Sequence, residues 1–269
     1  MSILYRCPLC QLPLSKSQRT LRCDNHHSFD QAKEGYFNLL PVQFKQSKSP
    51  GDNKAMVNAR RAFLDKGYYQ PLVDAMLALY QQYGRENGSM FDAGCGEGFY
   101  THQHKTQSNS VYGIDISKEA IKKAAKRYKA CHFSVGTLSM LPFNDNSIDW
   151  MTCVYAPILE EEYTRVLADH GYLLTVTPAK DHLLSLKQKI YIDAQQHDDE
   201  KQAISNLTLV HQQQLTYDMT ITSGEDAIHL LAMTPFAFKA SEEVKAQLAE
   251  ISAFSCQADF MIRLYKNNQ

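Results

Sequence analysis

The sequence predicts an α/β fold, a largely parallel sheet wound on both sides, with a small metal-stapled unit ahead of it. Three observations predict it. A short apolar run starting at Ser89 enters a glycine-rich turn, strand and helix patterns then alternate to about residue 178, and two Cys/His arms occupy the first 27 residues. The 269 residues, 44% hydrophobic and 21% charged with a formal net charge of -1, exclude disorder, collagen and coiled coil. No run approaches the roughly 18 apolar residues of a membrane helix. The start, MSILYRCPLC, meets a charge and a cysteine before a signal-peptide core can form, so no membrane contact and a cytoplasmic location are expected.

Residues 1–66 hold 11 Lys+Arg against 5 Asp+Glu, and the remaining chain holds 17 against 24. A basic unit on an acidic body suits contact with phosphate backbone at one end of the molecule. The seven cysteines are uneven, three of them in the first 23 residues, which is not a disulfide framework. Cys7-Pro8-Leu9-Cys10 is followed after twelve residues by Cys23-Asp24-Asn25-His26-His27. Two thiolates on a tight knuckle, with Cys23 and either His26 or His27, make a closed tetrahedral set suited to structural zinc. A unit of about 40 residues buries too little apolar surface to fold alone, so the metal supplies much of its stability.

The elements follow in order. Gln43 to Asn53 reads as a polar linker with Pro50-Gly51 as breakers. Asn53 caps a helix from Lys54 to about Lys66, with Met56, Ala59, Ala62 and Phe63 as its apolar stripe and Arg60 and Arg61 beside or behind it. A second helix runs from about Pro71 to Tyr83 and stops at Gly84. The units expected are a zinc ribbon at 1–42, linker and helices over the cofactor site at 43–84, and a catalytic domain at 85–269. Within the last, strands are expected at Ser110–Ile116, His132–Val135, Ile148–Tyr155 and Gly171–Val176, with helices at Lys118–Tyr128 and Glu160–Leu167 between them. Leu207–Thr222 and Cys256–Tyr265 read as a closing antiparallel pair enclosing helices at about 225–233 and 242–251. A seven-stranded, Rossmann-like sheet follows. Segment 181–206, charged at His197–Lys201, reads as a helix and loop over the active-site edge.

The glycine turn decides the ligand class. It reads Asp92-Ala93-Gly94-Cys95-Gly96-Glu97-Gly98, and Asp115 ends the next strand 21 residues after Gly94, where a ribose diol is gripped. Asp92 and Glu97 face the place a dinucleotide would put its pyrophosphate, and like charges there oppose NAD or FAD. S-adenosylmethionine has no phosphate and carries a sulfonium and an ammonium group. The loop therefore predicts a class I methyltransferase, with Asp92, Gly94, Cys95, Gly96, Gly98 and Asp115 at the cofactor.

Several stretches together carry a family resemblance: the CPLC knuckle with its C-x3-H partner, GYFNLLPVQ, PGDN with the following M..AR..FLDKGYYQPL, DAGCGEGFYT, the tripeptide YAP, TP...HL..LK and MTPFAF. From the first cysteine to MTPFAF the chain resembles the 23S ribosomal RNA guanine-N1 methyltransferases of the RlmA type. The resemblance implies methyl transfer from S-adenosylmethionine to N1 of a guanine in a hairpin loop of 23S rRNA, with the zinc ribbon helping to bind that RNA. It implies zinc on Cys7, Cys10, Cys23 and His27, and Tyr69, Tyr100, Thr101 and His182 at the cofactor. The chain departs from many class I enzymes at Leu167-Ala168-Asp169-His170-Gly171, where Lys-Pro-Gly-Gly is common. Alternatives are methylation of another RNA or of a small molecule, or an RNA-binding relative without catalysis; a homodimer is left open. Guanine N1 is protonated, so an acceptor is expected near Tyr155-Ala156-Pro157, but no catalytic residue declares itself. Tyr155 is expected to stack on or orient the purine, Pro157 to fix neighbouring carbonyls, and loss of zinc through Cys10→Ser to unfold the ribbon while cofactor binding stays near normal.

Overall fold

A computed structural model describes residues 4–44, 51–108, 110–191, 195–197 and 203–268. The N-terminal unit folds around three short antiparallel strands, β1 (Ser15–Ser17), β2 (Thr20–Arg22) and β3 (Ser28–Asp30). A two-residue strand, β4 (Phe37–Asn38), leaves this unit and pairs elsewhere. Helix α1 (Lys54–Asp65) starts where expected, because the Asn53 side chain accepts from the Ala55 and Met56 N–H groups. Its buried stripe is Val57, Ala59, Phe63 and Leu64, with Met56 and Ala62 only half-buried. The stripe is turned from the expected one because α1 also packs on α4 (Lys118–Arg127) and α7 (Gly224–Ala232). Helix α2 (Gln70–Tyr83) has proline in its first turn and ends at Gly84.

The apolar run becomes β5 (Ser89–Ala93), buried at every position as a central parallel strand should be. It is followed by α3 (Phe99–Gln103), β6 (Ser110–Asp115), α4, β7 (His132–Val135), β8 (Ile148–Val154), α5 (Glu160–Val166) and β9 (Leu167–Pro178). Then come α6 (Leu184–Ile190), β10 (Leu207–Ile221), α7, α8 (Glu242–Ala249) and β11 (Phe254–Asn267). The sheet order is β10-β11-β9-β8-β5-β6-β7-β4, with β10, β11 and β9 antiparallel neighbours and the rest parallel.

Among the described residues the main sheet has eight strands in place of the seven expected. The added one is β4, bonded to the outer edge of β7 in the register Phe37↔Ser134 and Asn38↔Val135. Two residues show no alternation, so nothing local marks them as a strand. A second correction concerns β9, which begins at Leu167 directly after α5 rather than at Gly171. The stretch lacking Lys-Pro-Gly-Gly is thus strand, and Asn267 donates to the Leu167 and Ala168 carbonyls from β11. Segment 181–206 does hold a helix, α6, while most of the charged run after His197 lies outside the described residues.

Side chains alternate between two apolar clusters, one on each face of the sheet. Met90, Val111, Phe133 and Trp150 face a cluster shared with α1, α2, α4 and α7. Phe91, Tyr112, Met151 and Leu173 face the other, shared with α5 and with Tyr5, Leu14 and Leu21 of the N-terminal unit. The β7–β8 connection, residues 136–147, contains no helix. The ribbon covers the face such a helix would have covered. Tyr5 packs edge-on against Tyr112 at 5.3 Å and beside Phe143 at 5.4 Å, and the Arg6 and Leu39 N–H groups bond to the Pro142 and Val135 carbonyls.

Candidate methyltransferase site and zinc centre

The two arms of the ribbon meet. Cys7 Sγ lies 3.4 Å and Cys23 Sγ 3.5 Å from His27 Nδ1, Cys10 Sγ lies 3.6 Å from Cys23 Sγ, and all four atoms fall within 4.8 Å of one another. Ligands about 2.0–2.3 Å from one tetrahedral ion are separated by such distances. The soft donors and their spacing fit zinc, and four protein ligands close the shell. His27 completes the set; His26 is exposed, in a left-handed turn with φ 61°, and is not one of the four.

A cavity of about 660 Å³ opens at the C-terminal ends of β5, β6, β8 and β9, on both sides of the point where the strand order reverses. Open α/β sheets bind their ligands there. Of the residues singled out from sequence, Tyr69, Asp92, Gly94, Cys95, Gly96, Glu97, Tyr100, Asp115, Tyr155, Pro157 and His182 line it. Gly98 and Thr101 do not. Gly98, at φ 85°, lets α3 approach Phe133 and Ala124, and the buried Thr101 hydroxyl donates to Asp92 at 2.6 Å. Gly94, at φ 72°, is required for another reason: a Cβ there would lie 2.6 Å from the Ala156 methyl, in the tripeptide after β8.

The acids of the site differ in state. Asp92 is buried, and burial pushes its carboxyl up to about 6 against the lowering effect of the Thr101 and Thr152 hydroxyls. Asp115 accepts from the Gly96 N–H at 2.9 Å and the Ser117 N–H at 2.7 Å, which ties the glycine turn to the start of α4; burial raises its carboxyl as well. Glu97 faces α1, where Arg61 Nε meets its Oε2 at 2.6 Å. Its charge is compensated within the protein. Of the two carboxylates expected to oppose a pyrophosphate, Glu97 is thus paired with a cation, while Asp92 meets the neutral hydroxyls of Thr101 and Thr152.

Three polar side chains converge at the other end of the cavity. Tyr155 follows β8 with φ 56°, a left-handed conformation unusual for an aromatic residue, and its hydroxyl is 3.0 Å from His182 Nε2. Tyr69, buried at the start of α2, places its hydroxyl 3.5 Å from the same nitrogen. The Asp259 N–H donates to His182 Nδ1 at 3.1 Å. Burial, with His197 nearby, pushes the imidazole down to about 3, so it is neutral at physiological pH. With both ring nitrogens engaged it is not placed to act as a base.

Sequence reasoning expected 43–84 to lie over the cofactor site but singled out none of its residues before Tyr69 as lining it. Gly51, Asp52 and Arg60 line the cavity, Arg60 is paired with Asp52, and the Ser117 hydroxyl donates to the Asp52 carbonyl at 2.7 Å. Gly136–Ser139 and Met233–Phe236 line it too. The signals were present in the quoted PGDN, AR and MTPFAF stretches, but nothing in their local pattern announces a ligand.

Comparisons with known proteins agree with this geometry. The model of the N-terminal zinc ribbon of RlmA matches residues 5–48, and a methyltransferase-domain model matches residues 85–224. A Bacillus subtilis (strain 168) protein provisionally named a 23S rRNA (guanine-N1)-methyltransferase is 29% identical over 95% of this chain and 94% of its own length. The Streptomyces fradiae 23S rRNA (guanine(748)-N1)-methyltransferase is 36% identical over 67% of this chain and 65% of its own. A Micromonospora griseorubida protein, provisionally named for the same general activity, is 32% identical over 69% of each chain.

Proposed function

This chain belongs to the 23S rRNA (guanine-N1)-methyltransferase family, and we propose that it transfers a methyl group from S-adenosylmethionine to N1 of a guanine in a hairpin loop of 23S rRNA. The observation that carries the reading is the joining of the zinc quartet and the acidic, phosphate-excluding glycine cavity in one fold. When bound, S-adenosylmethionine supplies an electrophilic methyl group. Asp115 would hold the ribose, with acceptor capacity left after its two backbone bonds. Asp92 would compensate the positive charge of the methionine end, and Tyr69, Tyr100 and Cys95 would enclose it beside Gly94 and Gly96. Cys7, Cys10, Cys23 and His27 would hold the structural zinc.

The target base enters from the Tyr155 end. N1 lies on the Watson-Crick edge, so the base must be unpaired before it reaches the cavity, at a cost of roughly a few kcal/mol that loop RNA reduces. The accessible Tyr155 ring, 45% exposed, offers a stacking or edge contact to the purine, and Pro157 sets the backbone beside it. Holding the two reactants in line contributes more rate than any one acid or base at this site. The basic N-terminal part suits RNA better than a metabolite. Among the described residues no helix is long and apolar enough to cross a membrane.

Primer extension on unmethylated 23S rRNA, incubated with the protein with and without S-adenosylmethionine, tests the reading, because methylated N1 blocks pairing and stops the polymerase. A cofactor-dependent stop at one hairpin-loop guanine is expected. Its absence from a protein that still binds the cofactor would mean a different acceptor.

A further inference from the structure

Resting on that reaction, we propose that the Tyr155 hydroxyl donates its hydrogen to the O6 carbonyl of the target guanine, and that His182 is the positioning residue that fixes it as a donor. The direction of the hydrogen bonds follows from one backbone contact. The Asp259 N–H donates to His182 Nδ1 at 3.1 Å, so Nδ1 carries no hydrogen. A neutral imidazole then carries its hydrogen on Nε2. Nε2 lies 3.0 Å from Tyr155 Oη and 3.5 Å from Tyr69 Oη, and it donates its one hydrogen to the nearer phenol, that of Tyr155. The phenol oxygen is the acceptor in that bond, and its own hydrogen is directed elsewhere.

The elsewhere is the cavity. Tyr155 lines it, nearly half of the residue is accessible, and the peptide is held in its left-handed conformation by the Tyr155 N–H bond to the Val176 carbonyl at 3.1 Å. The Asp259 carboxylate is engaged by Gln214, Thr216 and the Asp181 N–H. Backbone strain at a cavity wall with such a bonded side chain fits a residue whose direction matters.

The chemistry of guanine gives this donor a use. When N1 loses its proton, negative charge is shared between N1 and O6, and a hydrogen bond to O6 favours that charged form. Among the described residues, the lining that follows β8 and the end of β9, including Pro157, Leu159 and Leu183, holds no carboxylate, and its titratable side chains besides Tyr155 are the imidazoles of His182 and His197. In the balanced step the N1–H bond breaks and its proton passes to water, N1 bonds to the methyl carbon, and the C–S electron pair stays on sulfur as a thioether. The tyrosine thus lowers the pKa of its substrate instead of acting as a base. The charged and titratable groups facing Tyr155 and His182 are Tyr69 from the start of α2, Tyr100 from α3, Lys187 from α6, His197, Tyr217 from β10 and Asp259 from β11.

Single-turnover methylation of 23S rRNA fragments at saturating S-adenosylmethionine, followed from pH 5.5 to 9.5, tests the assignment in the full chain with Tyr155→Phe and His182→Gln. For the unaltered chain the rate rises with pH and levels off below the N1 ionisation of free guanosine. Tyr155→Phe is expected to lower the plateau rate about a hundredfold, the scale of losing one oxyanion donor, to leave the RNA KM within a few-fold and to move the inflection toward free guanosine. His182→Gln is expected to move it the same way. A Tyr155→Phe rate equal to that of the unaltered chain, or a slower rate with an unmoved inflection, overturns the tyrosine's role, and an unmoved inflection in His182→Gln overturns the histidine's. An unaltered chain that puts no methyl on guanine N1 overturns the reaction itself, which separates the two failures.

Discussion

Asp92 shows how one residue of this site couples protonation to binding. Burial raises its carboxyl to about 6 in the folded chain, above its ordinary value, so folding favours the protonated form. The stability this contributes is complete below the ordinary carboxylate pKa and is lost as pH rises through about 6. A cationic cofactor reverses the preference by favouring the carboxylate. S-adenosylmethionine affinity is therefore expected to rise between pH 5 and 7 with uptake of the ligand releasing about one proton, and Asp92→Asn should flatten the dependence; calorimetry in two buffers of different ionisation enthalpy measures both. Asp115→Ala should weaken cofactor binding about ten- to a hundredfold, by losing charge-assisted hydrogen bonds to the ribose and freeing the Gly96 turn. Unchanged affinity in equilibrium dialysis would move the ribose contact elsewhere. Both aspartates were legible because they stand at fixed places in a glycine motif. The Arg61–Glu97 pair was not, since its partners are 36 residues apart and only the packing of α1 brings them together.

Among the elements, the ribbon departs most from its expected independence. Zinc holds its two arms, but Tyr5, Leu14 and Leu21 belong to the cluster that contains Phe91, Tyr112 and Phe143, and β4 protects the edge of β7. Removing the metal therefore uncovers the sheet as well as unfolding the ribbon. Cys10→Ser is expected to release zinc and to lower the melting temperature of the whole chain by roughly 10 °C in one transition. The expectation that cofactor binding survives near normal is revised to a loss that grows with temperature. Scanning calorimetry with parallel zinc quantification decides it: two separate transitions, the upper one unshifted, would show that the ribbon and sheet are energetically independent. The cysteine spacing revealed the staple, but the role of a two-residue strand depends on the strand it meets.

At the scale of the whole molecule, the basic N-terminal part and the acidic remainder are not two separate bodies. Helix α4 belongs to the acidic portion of the sequence, yet Lys118, Lys122 and Lys126 form an exposed row along it, and Lys129 just beyond donates to the Glu34 carbonyl of the ribbon unit at 2.8 Å. The fold thus sets a row of exposed lysines beside the ribbon unit. RNA affinity is expected to fall steeply with salt, and changing the three lysines to glutamine should reduce the log–log slope by about 2 if each meets a phosphate of single-stranded RNA. A filter-binding titration that shows an unchanged slope would confine the RNA contact to other surfaces.

The sequence by itself determined the fold class, the order of strands and helices from residue 54 onward, the metal ligands apart from a choice between adjacent histidines, and the glycine-loop and strand-end residues of the cavity wall. These rest on short-range facts: a knuckle's spacing, glycine at positive φ, apolar periodicity, an acid at a strand end. Tertiary structure decided what depends on distant partners. It selected His27, added β4 to the sheet, neutralised Glu97 with Arg61, brought Gly51, Asp52 and Arg60 into the cavity, and set His182 between Asp259 and Tyr155. Hydrogen-bond direction and charge state belong to pairs of groups, and these pairs exist only once the sheet has brought remote segments together.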